Sequence, residues 1–394
     1  MTFQTIIAPS YIGPYKFRKT IGEGAFSVVK LAINEATKQF FACKIVPRSS
    51  LNSKELEDRF EIEIRINQQI HHRGVVQIID LLSDEMNYYI FMEFCPSGEL
   101  FKYIVDRGKL PENEAQIILH QILSTLAFVH SLGIAHRDLK PENLLFDPYG
   151  RIKISDFGLS RFVGGGGLVE TPCGSPCYAS PECLSGEPYD GRKSDLWSLG
   201  VILYAMVTGQ LPWTKRTQEQ LFIQIRSGDF IIPSYLTPEC QEMISSLMSV
   251  DPLKRVSAAD ALKLPWLTSV HPDLTGDQGQ QLTMVSLKKV DEFFNQGSKD
   301  LNLTGVKPEE LGQMASQRPT DYNFIVKEIK NSHRLPSLTQ PIRRSQLHPL
   351  VPSSVLFNKT KKPVSRATVE VEKPVSLPKL GKKPTAKNGI SVLI

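Results

Sequence analysis

Over residues 15–95 the apolar positions fall in short runs that predict β-strands. Tyr15-Lys16-Phe17-Arg18 opens the first run. Phe40-Phe41-Ala42-Cys43-Lys44-Ile45-Val46 is an apolar strand carrying one lysine, and Tyr88-Tyr89-Ile90-Phe91-Met92-Glu93-Phe94-Cys95 is another, ending at Pro96-Ser97-Gly98-Glu99. Between these two, residues 54–70 carry Leu56, Phe60, Ile62, Ile64, Ile66 and Ile70, a helix by length and composition with untidy periodicity. Beyond residue 95 helical spacing dominates. Residues 111–131 place Ala115, Ile118, Leu119, Ile122, Leu126 and Val129 on one stripe, and Pro111, Glu112 and Glu114 suit its N-terminal end. The apolar run 196–207, interrupted by Gly200, is too short to span a bilayer and reads as a buried helix.

Composition changes this picture little. The chain of 394 residues is 41% hydrophobic and 22% charged, enough for at least one large core. Residues 1–10 lack the basic start and apolar core of a secretory signal, and a cytoplasmic location with nuclear access is expected. The six cysteines are Cys43, Cys95, Cys173, Cys177, Cys183 and Cys240. Three crowd one loop, but their spacing and the lack of a nearby histidine favour reduced thiols over zinc. Charge is uneven. Residues 1–267 hold 27 Lys plus Arg against 30 Asp plus Glu, while residues 268–394 hold 19 against 11. The basic character therefore belongs to the tail and says nothing about chemistry in the first two thirds.

The candidate chemistry centres on His136-Arg137-Asp138-Leu139-Lys140-Pro141-Glu142-Asn143 and on Asp156-Phe157-Gly158. Between them, Asn143-Leu144-Leu145-Phe146 and Arg151-Ile152-Lys153-Ile154 read as strands joined by the turn Asp147-Pro148-Tyr149-Gly150. Such a hairpin brings two carboxylates and an amide to one edge. Phosphoryl transfer needs that set: a carboxylate to orient a hydroxyl and take its proton, and oxygen ligands for magnesium. Upstream, Ile21-Gly22-Glu23-Gly24-Ala25-Phe26-Ser27-Val28-Val29 would let backbone amides approach a polyphosphate, although glycines alone commonly mark turns. Lys44 is costly inside its strand unless it is paired or reaches water from an edge.

His-Arg-Asp-Leu-Lys-Pro-Glu-Asn followed by Asp-Phe-Gly resembles the catalytic core of eukaryotic protein kinases of the serine/threonine type. The segment 171–182, Thr-Pro-Cys-Gly-Ser-Pro-Cys-Tyr-Ala-Ser-Pro-Glu, resembles that of the calcium/calmodulin-dependent and AMP-activated-kinase-like (CAMK) group. The resemblance implies an α+β, bilobal protein-kinase fold: a small β-rich N-lobe over about 15–95, a larger α-helical C-lobe over about 96–267, a leader 1–14 and a C-terminal extension. It implies ATP and Mg2+ as cofactors and transfer to protein substrates. Asp138 would take the hydroxyl proton, Lys140 would stabilise the transferring group, Asn143 and Asp156 would hold magnesium, and Lys44 would meet the nucleotide phosphates. Lys44 would pair with a glutamate of the 54–70 helix, Glu63 by counting back from Ile70-His71-His72-Arg73, with Glu61 the competitor. The nucleotide would lie among Ile21, Gly22, Glu23, Gly24, Ala25, Phe26, Ser27, Val28, Val29, Ala42, Met92 and Leu145, with the backbone of Glu93 and Cys95 on the adenine and Glu99 on the ribose. Ser27 replaces the family's third glycine, which implies a stiffer loop.

Further expectations follow from the same resemblance. Thr171 would be phosphorylated by an upstream activating kinase and paired by Arg137, ordering a segment that contains Gly164-Gly165-Gly166-Gly167. Ser175 would lie near the acceptor peptide, Glu182 would pair with Arg255, and Asp195 would anchor the catalytic loop. Asn67 falls where relatives carry an apolar residue against Phe157, and a polar group is expected to weaken that packing. Glu99 and Glu142 imply a basic residue upstream of the acceptor. A nucleotide-binding scaffold without catalysis would lack Lys44, Asp138 or Asp156; all are present. In the extension, 287–294 and 322–329 are amphipathic and fit a regulatory or autoinhibitory helix, a calmodulin target, or packing on the parent domain. Residues 331–394, with 12 Lys plus Arg against 2 Asp plus Glu, read as a disordered tail. An anionic membrane, nucleic acid or an acidic partner is open to that tail, with a solvated tail the default; sequence-specific nucleic-acid binding and a transmembrane segment are not expected.

Overall fold

The computed structural model describes residues 8–24, 27–158, 160–162, 175–186, 188–215, 217–268 and 282–294, together with Ile6 and Val270. In the small lobe, β1 (Tyr11–Ile12), β2 (Tyr15–Glu23), β3 (Val28–Asn34), β4 (Phe40–Pro47), β5 (Ile78–Ser83) and β6 (Asn87–Glu93) form an antiparallel sheet in the order β1-β2-β3-β4-β6-β5. Alternation along β4 decides where its lysine goes. Phe41, Cys43 and Ile45 pack into the core on one face with Tyr89 and Phe91. Lys44 therefore shares the opposite face with Ala42 and Val46.

Helix α1 (Lys54–Gln69) packs beside this sheet. Ser53 starts it by accepting from the Leu56 amide at 3.3 Å, and Glu55 and Glu57 complement the dipole of its first turn. The large lobe holds α2 (Leu100–Arg107), α3 (Glu112–Ser131), α4 (Gly191–Thr208), α5 (Gln218–Ser227), α6 (Pro238–Leu247), α7 (Ala258–Ala261) and α8 (Pro265–Thr268). As the unbroken apolar run predicts, α4 is buried on nearly all sides, and one core runs from Ile66 and Ile70 through α3 to α4 and α6. It ends at Gly209, whose φ of +75° and contact with the Gly108 carbonyl leave no room for a Cβ.

The predicted hairpin is β8 (Leu144–Phe146) and β9 (Ile152–Ile154), in the register Leu144↔Ile154. Asp147 Oδ1 shapes the turn by accepting from the amides of Tyr149 at 2.8 Å and Arg151 at 2.9 Å. Strand β7 (Ile134–Ala135) pairs with β10 (Arg161–Phe162). The predicted stretch 287–294 forms α9 (Leu287–Phe293), which lies against the small lobe. Cys43, Cys95, Cys177, Cys183 and Cys240 are buried and outside any disulfide. Ala25, Phe26, Thr171, Cys173, the four glycines, the 322–329 stretch and the basic tail lie outside the described residues.

Candidate active site

Lys44 Nζ donates to Glu63 Oε1 at 2.9 Å and stands 3.8 Å from Asp156 Oδ1. Glu61 is not its partner, because that carboxylate accepts from Arg65 Nε at 2.7 Å. Burial disfavours the Lys44 ammonium, but Glu63 and Asp156 outweigh it and hold its pKa above the ordinary lysine range. Burial likewise works against the Asp156 carboxylate, and Lys44 with His136 more than offsets this, so its pKa lies below the usual value. Gly158 closes the group: a Cβ there would stand 3.0 Å from Asp156 Oδ1 and 3.2 Å from Glu63 Oε2.

The catalytic-loop candidates are held from below by α4. Asp195 accepts from the amides of His136 at 2.9 Å and Arg137 at 2.7 Å, and lies 2.9 Å from His130 Nε2. Those bonds secure Arg137 in a left-handed conformation with φ of +70°; Asp156 has φ of +59°. Asp138 Oδ2 then accepts from Lys140 Nζ at 2.8 Å and Asn143 Nδ2 at 3.3 Å. Its Oδ1 accepts from the amide and hydroxyl of Ser175, at 3.1 and 3.3 Å. Burial lowers and Asp138 raises the Lys140 pKa, for a net upward shift. The Asn143 carbonyl accepts from Ser155 N at 2.9 Å and so ties the loop to the residue before Asp156.

A cleft between the lobes joins these groups to an apolar slot. Ile21, Val29 and Ala42 cluster with Met92 on the sheet side, and Leu145 faces them beside Cys95. Burial pushes the Cys95 thiol up to about 12, so it stays protonated. The Glu93 carboxylate is committed to Lys153 Nζ at 2.8 Å and the Gln77 amide at 3.1 Å. Gly22, Glu23, Gly24, Ser27 and Val28 form the β2–β3 end, where the Gly24 amide donates to the Ser27 carbonyl at 2.8 Å. Glu99 and Glu142 are each only 4% exposed, which encloses both carboxylates far more than a peptide-reading surface suggests.

Asn67 lines the same cleft as Phe157, and its amide is not left unsatisfied there. Its Nδ2 donates to the Val76 carbonyl at 3.1 Å and its Oδ1 accepts from the Ile78 amide at 3.2 Å, so both ends are satisfied and tie α1 to β5. Within the large lobe, Arg255 meets Glu182 through two bonds of 2.5 and 2.9 Å. Ser198 Oγ and Trp213 Nε1 donate at 2.7 Å to the carbonyls of Tyr178 and Cys177. Lys153 escaped the sequence reading although it carries the same signal as Lys44, a lysine between apolar strand residues. Gln77 carried no such signal; its Nε2 donates to the carbonyls of Ile70, His72 and Val75.

The oxygen donors fit magnesium. Asn143 Oδ1 is buried without a hydrogen-bond partner among the described residues, and Asp156 adds a carboxylate. No group of three or more His, Cys, Asp or Glu able to hold a metal occurs among the described residues; the rest of a magnesium shell here would be water and phosphate oxygens. No helix among the described residues is long and apolar enough to cross a membrane. A family model for the protein kinase domain matches residues 15–267, which run from the first residue of β2 to Leu267 in α8. That match covers more than half of the sequence and takes in both lobes and the cleft between them, so the chain belongs to the protein kinase family.

Proposed function

We propose that this kinase transfers the γ-phosphoryl group of ATP to serine or threonine of protein substrates. The observation that carries the reading is Lys140 Nζ at 2.8 Å from Asp138 Oδ2, because a lysine two residues after the aspartate is the serine/threonine form. Asp138 orients the acceptor hydroxyl and takes its proton as the hydroxyl oxygen bonds to the γ-phosphorus and the bond to the β–γ bridging oxygen breaks. Lys140 stabilises charge on the transferring group. Lys44, held by Glu63, meets the nucleotide phosphates. Asn143 and Asp156 hold magnesium, which when bound neutralises phosphate charge.

The nucleotide base fits between Ile21, Val29, Ala42 and Leu145, with Met92 behind it. The Glu93 side chain is already paired, which leaves its backbone and that of Cys95 to read the adenine edge. Phosphorylation of Thr171 by an upstream kinase adds charge for Arg137, which is 8% exposed beside Tyr189. A basic residue upstream of the acceptor rests only on the sequence resemblance at Glu99 and Glu142, because the structure encloses both carboxylates.

The test is phosphate transfer from labelled ATP to peptides that present Ser, Thr or Tyr with and without an upstream arginine. Wild type should modify the Ser and Thr peptides, Asp138→Asn should abolish transfer and Thr171→Ala should reduce it. Absence of transfer by wild type after treatment with an activating kinase would turn the reading to a nucleotide-binding scaffold.

A further inference from the structure

Residues 282–294 lie beyond the matched family region and return to the small lobe. The Val285 amide donates to the Ile78 carbonyl at 3.0 Å, on the outer strand of the sheet. Ser286 accepts from the Lys289 amide at 3.2 Å and starts α9. Val285 and Val290 are 5% and 0% exposed in a cluster with Phe60 and Ile64 of α1. Phe293 and Phe294 meet Tyr88 and Phe60 at ring distances of 5.3 and 5.8 Å. The apolar face of α9 is thus spent on the lobe itself, against its use as a calmodulin target in this arrangement.

The polar contact is more specific. Arg65 on α1 is 2% exposed; its Nη1 donates to Asp291 Oδ1 at 2.8 Å while its Nε donates to Glu61 at 2.7 Å. Burial penalises the guanidinium, and Glu61 with Asp291 more than offsets that. A buried Arg with one partner removed favours rotation or withdrawal of the helix that carries it. At about 100° per residue, Glu61 and Arg65 stand nearly opposite Glu63 around the helix. One side of α1 therefore meets Lys44 while the other is gripped by α9. Ile78 completes the connection, since its amide donates to Asn67 and its carbonyl accepts from Val285.

We propose that 282–294 is a built-in strap of the catalytic unit and that Asp291 is a positioning residue, acting through Arg65 to hold α1 where Glu63 meets Lys44. The inference rests on the reading of Lys44 and Glu63 as the nucleotide-positioning pair. It makes the segment supportive of catalysis, where an autoinhibitory helix would oppose it.

The test compares full-length wild type, Asp291→Ala, Asp291→Glu and Val290→Asp. The readouts are KM for ATP, kcat, thermal melting, and binding of a fluorescent ATP analogue measured in an Asp138→Asn background. Asp291→Ala should raise KM and the analogue Kd about tenfold with a smaller change in kcat, Asp291→Glu should restore both to within about twofold of wild type, and Val290→Asp should match or exceed Asp291→Ala. A folded Asp291→Ala with wild-type KM and Kd overturns the strap, as does any variant with raised activity. If Val290→Asp does not fold, the Ala and Glu pair at residue 291 decides alone. Wild type that neither binds the analogue nor transfers phosphate overturns the functional reading; wild type that does both beside an unaffected Asp291→Ala overturns only this inference.

Discussion

Lys44 and Glu63 form an ion pair of 2.9 Å that depends on Gly158 for room, since a Cβ placed there would stand 3.2 Å from Glu63 Oε2. Charge fixes the lysine, and the missing side chain at residue 158 leaves the glutamate the space it occupies. Glu63→Gln should lower kcat/KM for ATP roughly 10–100-fold with little change in melting temperature. Gly158→Ala should act in the same direction by pushing on Glu63 and Asp156, and steady-state kinetics over a range of ATP concentrations checks both.

Asn67 joins α1 to β5 through two buried hydrogen bonds. Asn67→Leu leaves the Ile78 amide and the Val76 carbonyl without that partner, a penalty of about 1–3 kcal/mol for each buried group left unsatisfied. Chemical denaturation should show a loss of that order and kinase assays no gain in basal activity. Unchanged stability with higher activity would restore the view that the polar side chain weakens packing.

Arg255 is 1% exposed and bidentate to Glu182, with further bonds to the carbonyls of Ser249 and Lys193 at 2.9 and 2.7 Å. Glu182→Ala strands a buried guanidinium and should cost roughly 3–5 kcal/mol. The measurement is thermal or denaturant unfolding, and the loss should appear in nucleotide-free protein, which separates it from a defect in catalysis.

His72 stacks on Phe128 at 4.8 Å, and its Nδ1 accepts from the Gly74 amide. Burial, followed by Lys153 and Arg73, brings its pKa down to about 4. An unfolded histidine titrates near 6.5, so between about pH 6.5 and 4 the unfolded chain binds the extra proton and stability falls as pH falls. Going from pH 7 to pH 5 this group should remove about 1–2 kcal/mol. His72→Gln, which keeps an acceptor and loses the titration, should flatten that part of the stability–pH curve.

The raised Lys44 and lowered Asp156 pKa values act elsewhere. The Lys44 contribution is complete below the unfolded lysine value and fades as pH rises through its folded value; the Asp156 contribution is complete above the unfolded aspartate value and fades as pH falls through its folded value. Between roughly pH 5 and 9 both stay charged, so ATP affinity should vary little with the protonation of this pair. Equilibrium nucleotide binding across that window checks it.

Much of the catalytic cleft was legible because its parts are local. Asp147 and Gly150 define a turn in adjacent residues, and that turn sets the spacing of Asn143 and Asp156 through β8 and β9. Strand alternation alone puts Lys44 on the face opposite Phe41, Cys43 and Ile45. Helix α4 was readable from an apolar run with no polar side because it is enclosed by other helices and has no face left for water.

The sequence by itself determined the strand–helix order, the hairpin and the chemical groups of the cleft, since each depends on neighbours within a turn or a strand pair; the two lobes were implied only by the resemblance to protein kinases. Tertiary structure decided which glutamate meets Lys44, why Asn67 is polar, and where the segment after residue 267 goes. The physical reason lies in α1. It is packed on more than one side, by the sheet and large lobe and by α9, so Phe60, Glu61, Ile64, Arg65, Ile66 and Asn67 are all buried and no single 3.6-residue stripe remains to read. Glu61 and Glu63 differ by two positions in the chain and by opposite sides of a helix; only the partners that fold against those sides, Arg65 with Asp291 and Lys44 with Asp156, give them different work.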